Sequence, residues 1–132
     1  MSSPLSVLIV DDMLDSRTLL RILFTHKTAY TVLEATNGQE ALHLAQSHNP
    51  DLIILDHMMP DLSGLEVCRR LRHLPQTATV PVLMLTARTD QDMRAQALAA
   101  GANGFLTKPI RPKELLEEAG RLLAEARAGA SQ

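Results

Sequence analysis

Three short runs constrain the fold of this chain more than any other feature. Val7-Leu8-Ile9-Val10, Leu52-Ile53-Ile54-Leu55 and Val82-Leu83-Met84-Leu85 are apolar at every position. A strand with one wet face alternates apolar and polar residues, whereas an unbroken apolar run suits a strand covered on both faces. Two further strands are read at Tyr30 to Ala35 and at Gly104-Phe105-Leu106. The segments between them carry helical spacing. Ser63-Gly64-Leu65-Glu66 has the capping-box pattern, with Ser63 as N-cap and Glu66 reaching back. The helix it opens sets Val67, Cys68, Leu71 and Leu74 on one face. The last helix begins at Pro112, which suits a first helical position, and continues through Leu115, Leu116, Ala119, Leu122, Leu123 and Ala126 at spacings of three and four. Asp90 to Ala100 is thinly apolar, with Met93, Ala97 and Leu98 as its main members, and is expected to dock lightly. Five strands alternating with five helices imply an α/β fold with a parallel sheet covered on both faces.

The chain has 132 residues, enough for a single domain with a sizeable core. Thirteen Lys and Arg against fifteen Asp and Glu give a net charge of −2, which argues against a protein built to grip nucleic-acid backbone or an anionic membrane. Phe24, Phe105 and Tyr30 are the aromatic residues, too few for stacking platforms under bases or a flavin. No apolar stretch approaches the roughly 20 residues of a membrane span. Met1-Ser2-Ser3-Pro4 does not read as a signal peptide, and the single Cys68 suits a reducing compartment. A cytoplasmic domain with its core at about 5–126 and a frayed tail at 127–132 is expected.

In doubly wound sheets, ligands sit outside the carboxyl ends of the strands. Strand one runs into Asp11-Asp12, strand three into Asp56, strand four ends at Thr86, and strand five leads to Lys108-Pro109. Each has an ordinary reading alone: an aspartate can cap a helix, a threonine can open a turn, and a lysine can be solvated. Together they place three carboxylates, a hydroxyl and an ammonium on one rim of an otherwise apolar sheet. Clustered carboxylates call for a cation. Lys108 supplies one positive charge, and the excess suits a hard divalent ion with oxygen ligands. Carboxylates also act as nucleophiles in aspartyl-phosphate chemistry, where cations and hydroxyl donors stabilise the transferring oxygens.

The sequence resembles the receiver domain of two-component response regulators. The likeness rests on Val7-Leu8-Ile9-Val10-Asp11-Asp12, on Leu55-Asp56-His57-Met58-Met59-Pro60 with Ser63-Gly64, on Leu85-Thr86-Ala87-Arg88, and on Gly101-Ala102-Asn103-Gly104-Phe105-Leu106-Thr107-Lys108-Pro109. It covers about residues 5 to 126. The resemblance implies a flavodoxin-like sheet of order 2-1-3-4-5, with Asp56 as the acceptor of a phosphoryl group from a sensor histidine kinase or histidine phosphotransfer protein. Asp11, Asp12, Asp56 and the backbone carbonyl of Met58 would hold Mg²⁺ or Mn²⁺. Thr86 and Lys108 would bind phosphoryl oxygens, Lys108–Pro109 would be a cis peptide, and Phe105 would occupy the aromatic switch position. Phosphorylation would then alter the face of the fourth helix, fifth strand and fifth helix, where an unknown protein target or a second copy of the chain would bind. In the same family the positions held here by Met58 and Arg88 flank the path of the hydrolytic water. Neither side chain can polarise that water, so a long-lived phosphorylated state is expected.

Other residues carry less. His26, His43, His48, His57 and His73 show no paired ligand spacing, and His57 should point away from Asp56 because neighbours on a strand face opposite sides. Cys68 reads as a small core hydrophobe, and Arg69, Arg70 and Arg72 as a solvated face. A haloacid-dehalogenase-like phosphatase would place its nucleophile after strand one in an Asp-x-Asp arrangement and would carry a cap. A flavodoxin would need a hydroxyl-rich phosphate loop and aromatic flanks. A receiver-shaped scaffold that is never phosphorylated usually lacks one of the acidic or lysine positions. Residues 1–132 fit none of these three patterns.

Overall fold

The computed structural model describes residues 4–88 and 90–130, excluding the side chains of 129 and 130. The reading of the N-terminus as no signal peptide, and the end of the expected tail at Ser131 and Gln132, therefore lie outside the described residues. The elements follow in strict alternation: β1 (Ser6–Val10), α1 (Leu14–Lys27), β2 (Thr31–Ala35), α2 (Gly38–His48), β3 (Leu52–Asp56), α3 (Gly64–Arg72), β4 (Val82–Thr86), α4 (Gln91–Ala99), β5 (Gly104–Thr107) and α5 (Pro112–Ala130). The strands form one parallel sheet in the order β2-β1-β3-β4-β5, the order that the resemblance implies.

Burial accounts for the continuous apolar runs. Every residue of β3 and β4 is buried, and the side chains divide by parity between two cores. Leu8, Val10, Ile53, Leu55 and Met84 pack with α2, α3 and α4 on one face. Val7, Ile9, Ile54, Leu83 and Leu85 pack with Leu20 and Phe24 of α1 and with Leu115, Ala119, Leu122 and Leu123 of α5 on the other. Each fully buried leucine contributes about 1.5–3 kcal/mol of transfer free energy, so a polar residue inside either run would be costly. That cost confines the polar residues to the strand ends.

Local expectations are corrected at three places. Ser63 does cap α3, its hydroxyl accepting from the Glu66 N–H at 3.2 Å. The Glu66 carboxylate does not reach back, however; it pairs forward with Arg69 and Arg70 at 3.4 and 3.2 Å. Leu74 falls beyond the end of α3 at Arg72. On α4, Met93 and Ala97 are fully buried while Leu98 is exposed, so two side chains rather than three anchor that helix. The last helix, α5, runs from Pro112 to Ala130. At the C-terminal end of α4, Gly101 takes φ +104°, which lets the Ala102 N–H reach back to the Ala97 carbonyl at 2.9 Å.

Candidate functional site

The carboxyl ends of β1, β3, β4 and β5 meet at a cleft of about 290 Å³ lined by Asp12, Met13, Asp56, His57, Met58, Thr86, Ala87 and Lys108. Asp11 lies beneath it and is buried, as is Asp56, whereas Asp12 is exposed. One oxygen from each of Asp11, Asp12 and Asp56 lies within 4.8 Å of the others. Neither Asp11 nor Asp12 caps α1, whose N-cap is Met13. Instead, Asp11 Oδ1 accepts from the Met13 N–H at 2.9 Å.

The other oxygen of that carboxylate decides what the cluster can hold. Asp11 Oδ2 is buried and, among the described residues, has no hydrogen-bond partner. An orphaned carboxylate oxygen is expensive to bury. Burial pushes the Asp11 carboxyl above the usual carboxylate range, and the charges of Asp56 and Asp12 push the same way. The Met13 N–H and Lys108 oppose them. A hard divalent cation seated among the three carboxylates would satisfy the orphan and offset the repulsion, and an all-oxygen donor set is what such a cation prefers.

Lys108 follows β5 directly, and its Nζ donates to Asp56 Oδ1 at 2.7 Å, across 52 residues of sequence. The Lys108–Pro109 peptide is cis. Thr86 closes β4 with its hydroxyl buried; Oγ1 accepts from the Arg88 N–H at 3.1 Å and lies 3.3 Å from His57 Nδ1. The Arg88 guanidinium turns away from the cleft onto both carboxylate oxygens of Asp90, at 3.0 and 2.9 Å. Met58 is 69% exposed at the mouth. Phe105 is half-buried and packs against the core on the α4 side of the sheet.

The β3–α3 loop that carries Met58 is pinned at both ends. Gly64 N–H donates to the His57 carbonyl at 2.7 Å. A Cβ at position 64 would stand 2.5 Å from the Asp56 carbonyl oxygen, so only glycine allows this approach. Farther along, the Asp61 carboxylate accepts from the Gly38 and Gln39 N–H groups at 2.9 Å each. Those bonds, the Gly38 one foremost, hold its carboxyl below the usual range. They tie the loop to the N-terminus of α2. No motif marks Asp61, because its partners are 22 and 23 residues away.

Residues 7–119 match the profile of the response regulator receiver domain. The chain belongs to that family. It is 37% identical over 127 residues to the phosphate regulon transcriptional regulatory protein PhoB of Pseudomonas aeruginosa, covering 96% of this chain and 55% of PhoB. The chain thus spans about half the length of that relative. The chemotaxis protein CheY4 of Vibrio cholerae superposes with a TM-score of 0.86 at 35% identity, over 91% of this chain and 99% of CheY4. The receiver domain of the sensor histidine kinase PA1611 from Pseudomonas aeruginosa superposes at 0.85 with 28% identity, over 92% of this chain and 99% of that domain; its structure has a magnesium ion coordinated in the active-site cleft. Receivers are signalling switches that accept phosphoryl groups from histidine kinases and bind a divalent metal in their acidic site. Among the described residues, no helix is long and apolar enough to cross a membrane.

Proposed function

We propose that this receiver accepts a phosphoryl group on Asp56 from a sensor histidine kinase or histidine phosphotransfer protein, and that Thr86 and Phe105 pass the change to the face formed by α4, β5 and α5. The observation that carries the reading is the Lys108 ammonium held 2.7 Å from Asp56 beside an Asp11 oxygen that has no partner among the described residues. A nucleophilic carboxylate, a fixed cation and a cation-hungry donor set converge there.

Asp11, Asp12, Asp56 and the Met58 carbonyl would hold Mg²⁺ or Mn²⁺. The bound ion supplies charge neutralisation across the oxygens of the transferring phosphoryl group. The chain's own groups do the rest. An Asp56 carboxylate oxygen attacks phosphorus, its O–P bond forming as the donor's N–P bond breaks, and the donor imidazole leaves neutral once its nitrogen takes up a proton. Lys108 then pairs with a phosphoryl oxygen in place of Asp56 alone. The Thr86 hydroxyl turns to donate to another. Its departure opens space into which the Phe105 ring can swing; lacking a phenolic hydroxyl, that ring signals through packing.

The face so altered includes a groove of about 650 Å³ lined in part by Asp90, Arg94, Phe105, Lys108, Arg111 and Glu114. Among the described residues, Met93 and Ala97 are the buried side chains of α4, which suits an element with two available positions. A downstream protein, or a second phosphorylated copy of the chain, would bind there, in the cytoplasm. The test is intact-mass analysis after incubation with acetyl phosphate and Mg²⁺. Wild type should gain one phosphoryl group and Asp56→Asn none. Equal modification of the two would reject Asp56 as the acceptor.

A further inference from the structure

His57 follows the proposed acceptor directly, yet its ring does not face the carboxylate cluster. The register of β3 and β4 explains its position. Asp56 pairs with Leu85, and the ladder extends one step as the His57 N–H donates to the Leu85 carbonyl at 2.9 Å. That step sets His57 alongside Thr86 on the opposite face of the sheet from the Asp56 side chain. The imidazole is buried, and among the described residues its one hydrogen-bond partner is Thr86 Oγ1, 3.3 Å from Nδ1. Thr86 Oγ1 already accepts from the Arg88 N–H at 3.1 Å. Its own hydrogen is therefore free to donate to Nδ1 of a ring protonated on Nε2.

We propose that His57 is a positioning residue that holds the Thr86 hydroxyl away from the phosphorylation site and so sets how readily the receiver switches. This rests on the reading of Thr86 as a phosphoryl ligand. A threonine hydroxyl has a single hydrogen to donate. It serves either the imidazole or a phosphoryl oxygen, so the resting state keeps a bond that the switched state must give up. The acyl-phosphate mimic beryllofluoride has to win that hydrogen from His57.

Removing Nδ1 while keeping a flat ring of similar volume (His57→Phe) leaves the buried hydroxyl without an acceptor in the resting state only. The variant should bind beryllofluoride about threefold to tenfold more tightly than wild type, the range expected from one ordinary hydrogen bond. His57→Leu should behave likewise, and provides the same reading should the phenylalanine prove too bulky to fold. His57→Asn, whose Oδ1 can stand where Nδ1 stood, should restore an affinity near that of wild type. Binding is read from the backbone amide resonances at positions 86 and 88 in Mg²⁺ buffer at pH 8, where an ordinary imidazole is neutral. In a Thr86→Val background the phenylalanine effect should vanish, because no hydroxyl remains to release. An apolar variant that binds no more tightly than wild type, or that tightens binding equally in the Thr86→Val background, would overturn the proposal. Unchanged binding by Asp56→Asn would instead remove the acceptor reading beneath it, and the His57 proposal would fall with that.

Discussion

Asp11→Asn should stabilise the receiver in the absence of metal and abolish most of the stabilisation that metal provides. In the folded chain this carboxylate is buried, and Oδ2 has no partner among the described residues. It faces Asp12 and Asp56 at separations up to 4.8 Å, and Lys108 offsets one of those two charges. One uncompensated repulsion at 4.8 Å is worth about 0.9 kcal/mol at the dielectric of water and about 3.5 kcal/mol at an effective value of about 20. Asp12 is exposed, which favours the lower part of that range. Asparagine keeps the oxygen that accepts from the Met13 N–H and replaces the orphan with an amide able to donate to its carboxylate neighbours. A net gain of about 1–3 kcal/mol follows, or roughly 4–12 °C in Tm for a domain of this length. In wild type, Mg²⁺ at about ten times its Kd should add about 1.4 kcal/mol, and in the variant that increment should shrink towards zero. Thermal unfolding in EDTA and in Mg²⁺ reads both effects. A variant less stable than wild type in EDTA, or one that keeps the full Mg²⁺ increment, would refute the electrostatic account of the site.

The raised pKa of Asp11 also sets the sign of a pH effect. The folded state holds the proton more tightly than the unfolded chain, so in EDTA this group's contribution to stability is full below the usual carboxylate range and is lost as pH rises through its elevated folded value; urea unfolding from pH 4 upward should show that loss in wild type and not in Asp11→Asn. Gly64→Ala should cost about 1–3 kcal/mol in the same assay and weaken Mg²⁺ binding, because the added Cβ would stand 2.5 Å from the Asp56 carbonyl oxygen and push the loop aside. With Arg88 paired to Asp90 and Met58 offering a water no strong hydrogen bond, phosphorylated wild type should persist for minutes to hours, and Met58→Asn with Arg88→Glu should lose phosphate faster; a wild-type half-life of seconds, or an equally slow double variant, would remove the two side chains from that role. Amide exchange with beryllofluoride bound should change within residues 86 to 126, and a change confined to α1 would contradict the proposed output face.

The fold was legible because burial on both faces writes itself into consecutive apolar residues, and the polar residues that end those runs mark one rim. Asp56, Thr86 and Lys108 line one cleft there, and Asp11 joins Asp12 and Asp56 in one carboxylate cluster. What sequence reading missed depends on which residues become neighbours across strands and loops. Strand alternation correctly turned His57 away from Asp56, but only the β3–β4 register puts its ring beside Thr86. Asp61 caps a helix more than twenty residues away. Arg72 looked like part of a solvated basic run, yet its guanidinium donates to the Gly101 and Thr77 carbonyls and to Asn103 Oδ1, fastening α3 to the turn before β5. Glu66 fits a capping box by spacing, but two arginines one turn on compete for the same carboxylate. Local patterns name the groups, and their partners are set by packing between elements.

If Asp56 carries the phosphoryl group, chemical trapping should find it there and nowhere else. Borohydride reduces an acyl phosphate to an alcohol, so an aspartyl phosphate becomes homoserine at its own position in the chain. After acetyl phosphate and Mg²⁺, followed by borohydride and peptide mapping, homoserine should appear at position 56 alone, and EDTA should suppress it. Homoserine at position 11 or 12, or a phosphoryl group that survives borohydride on another residue, would contradict the account.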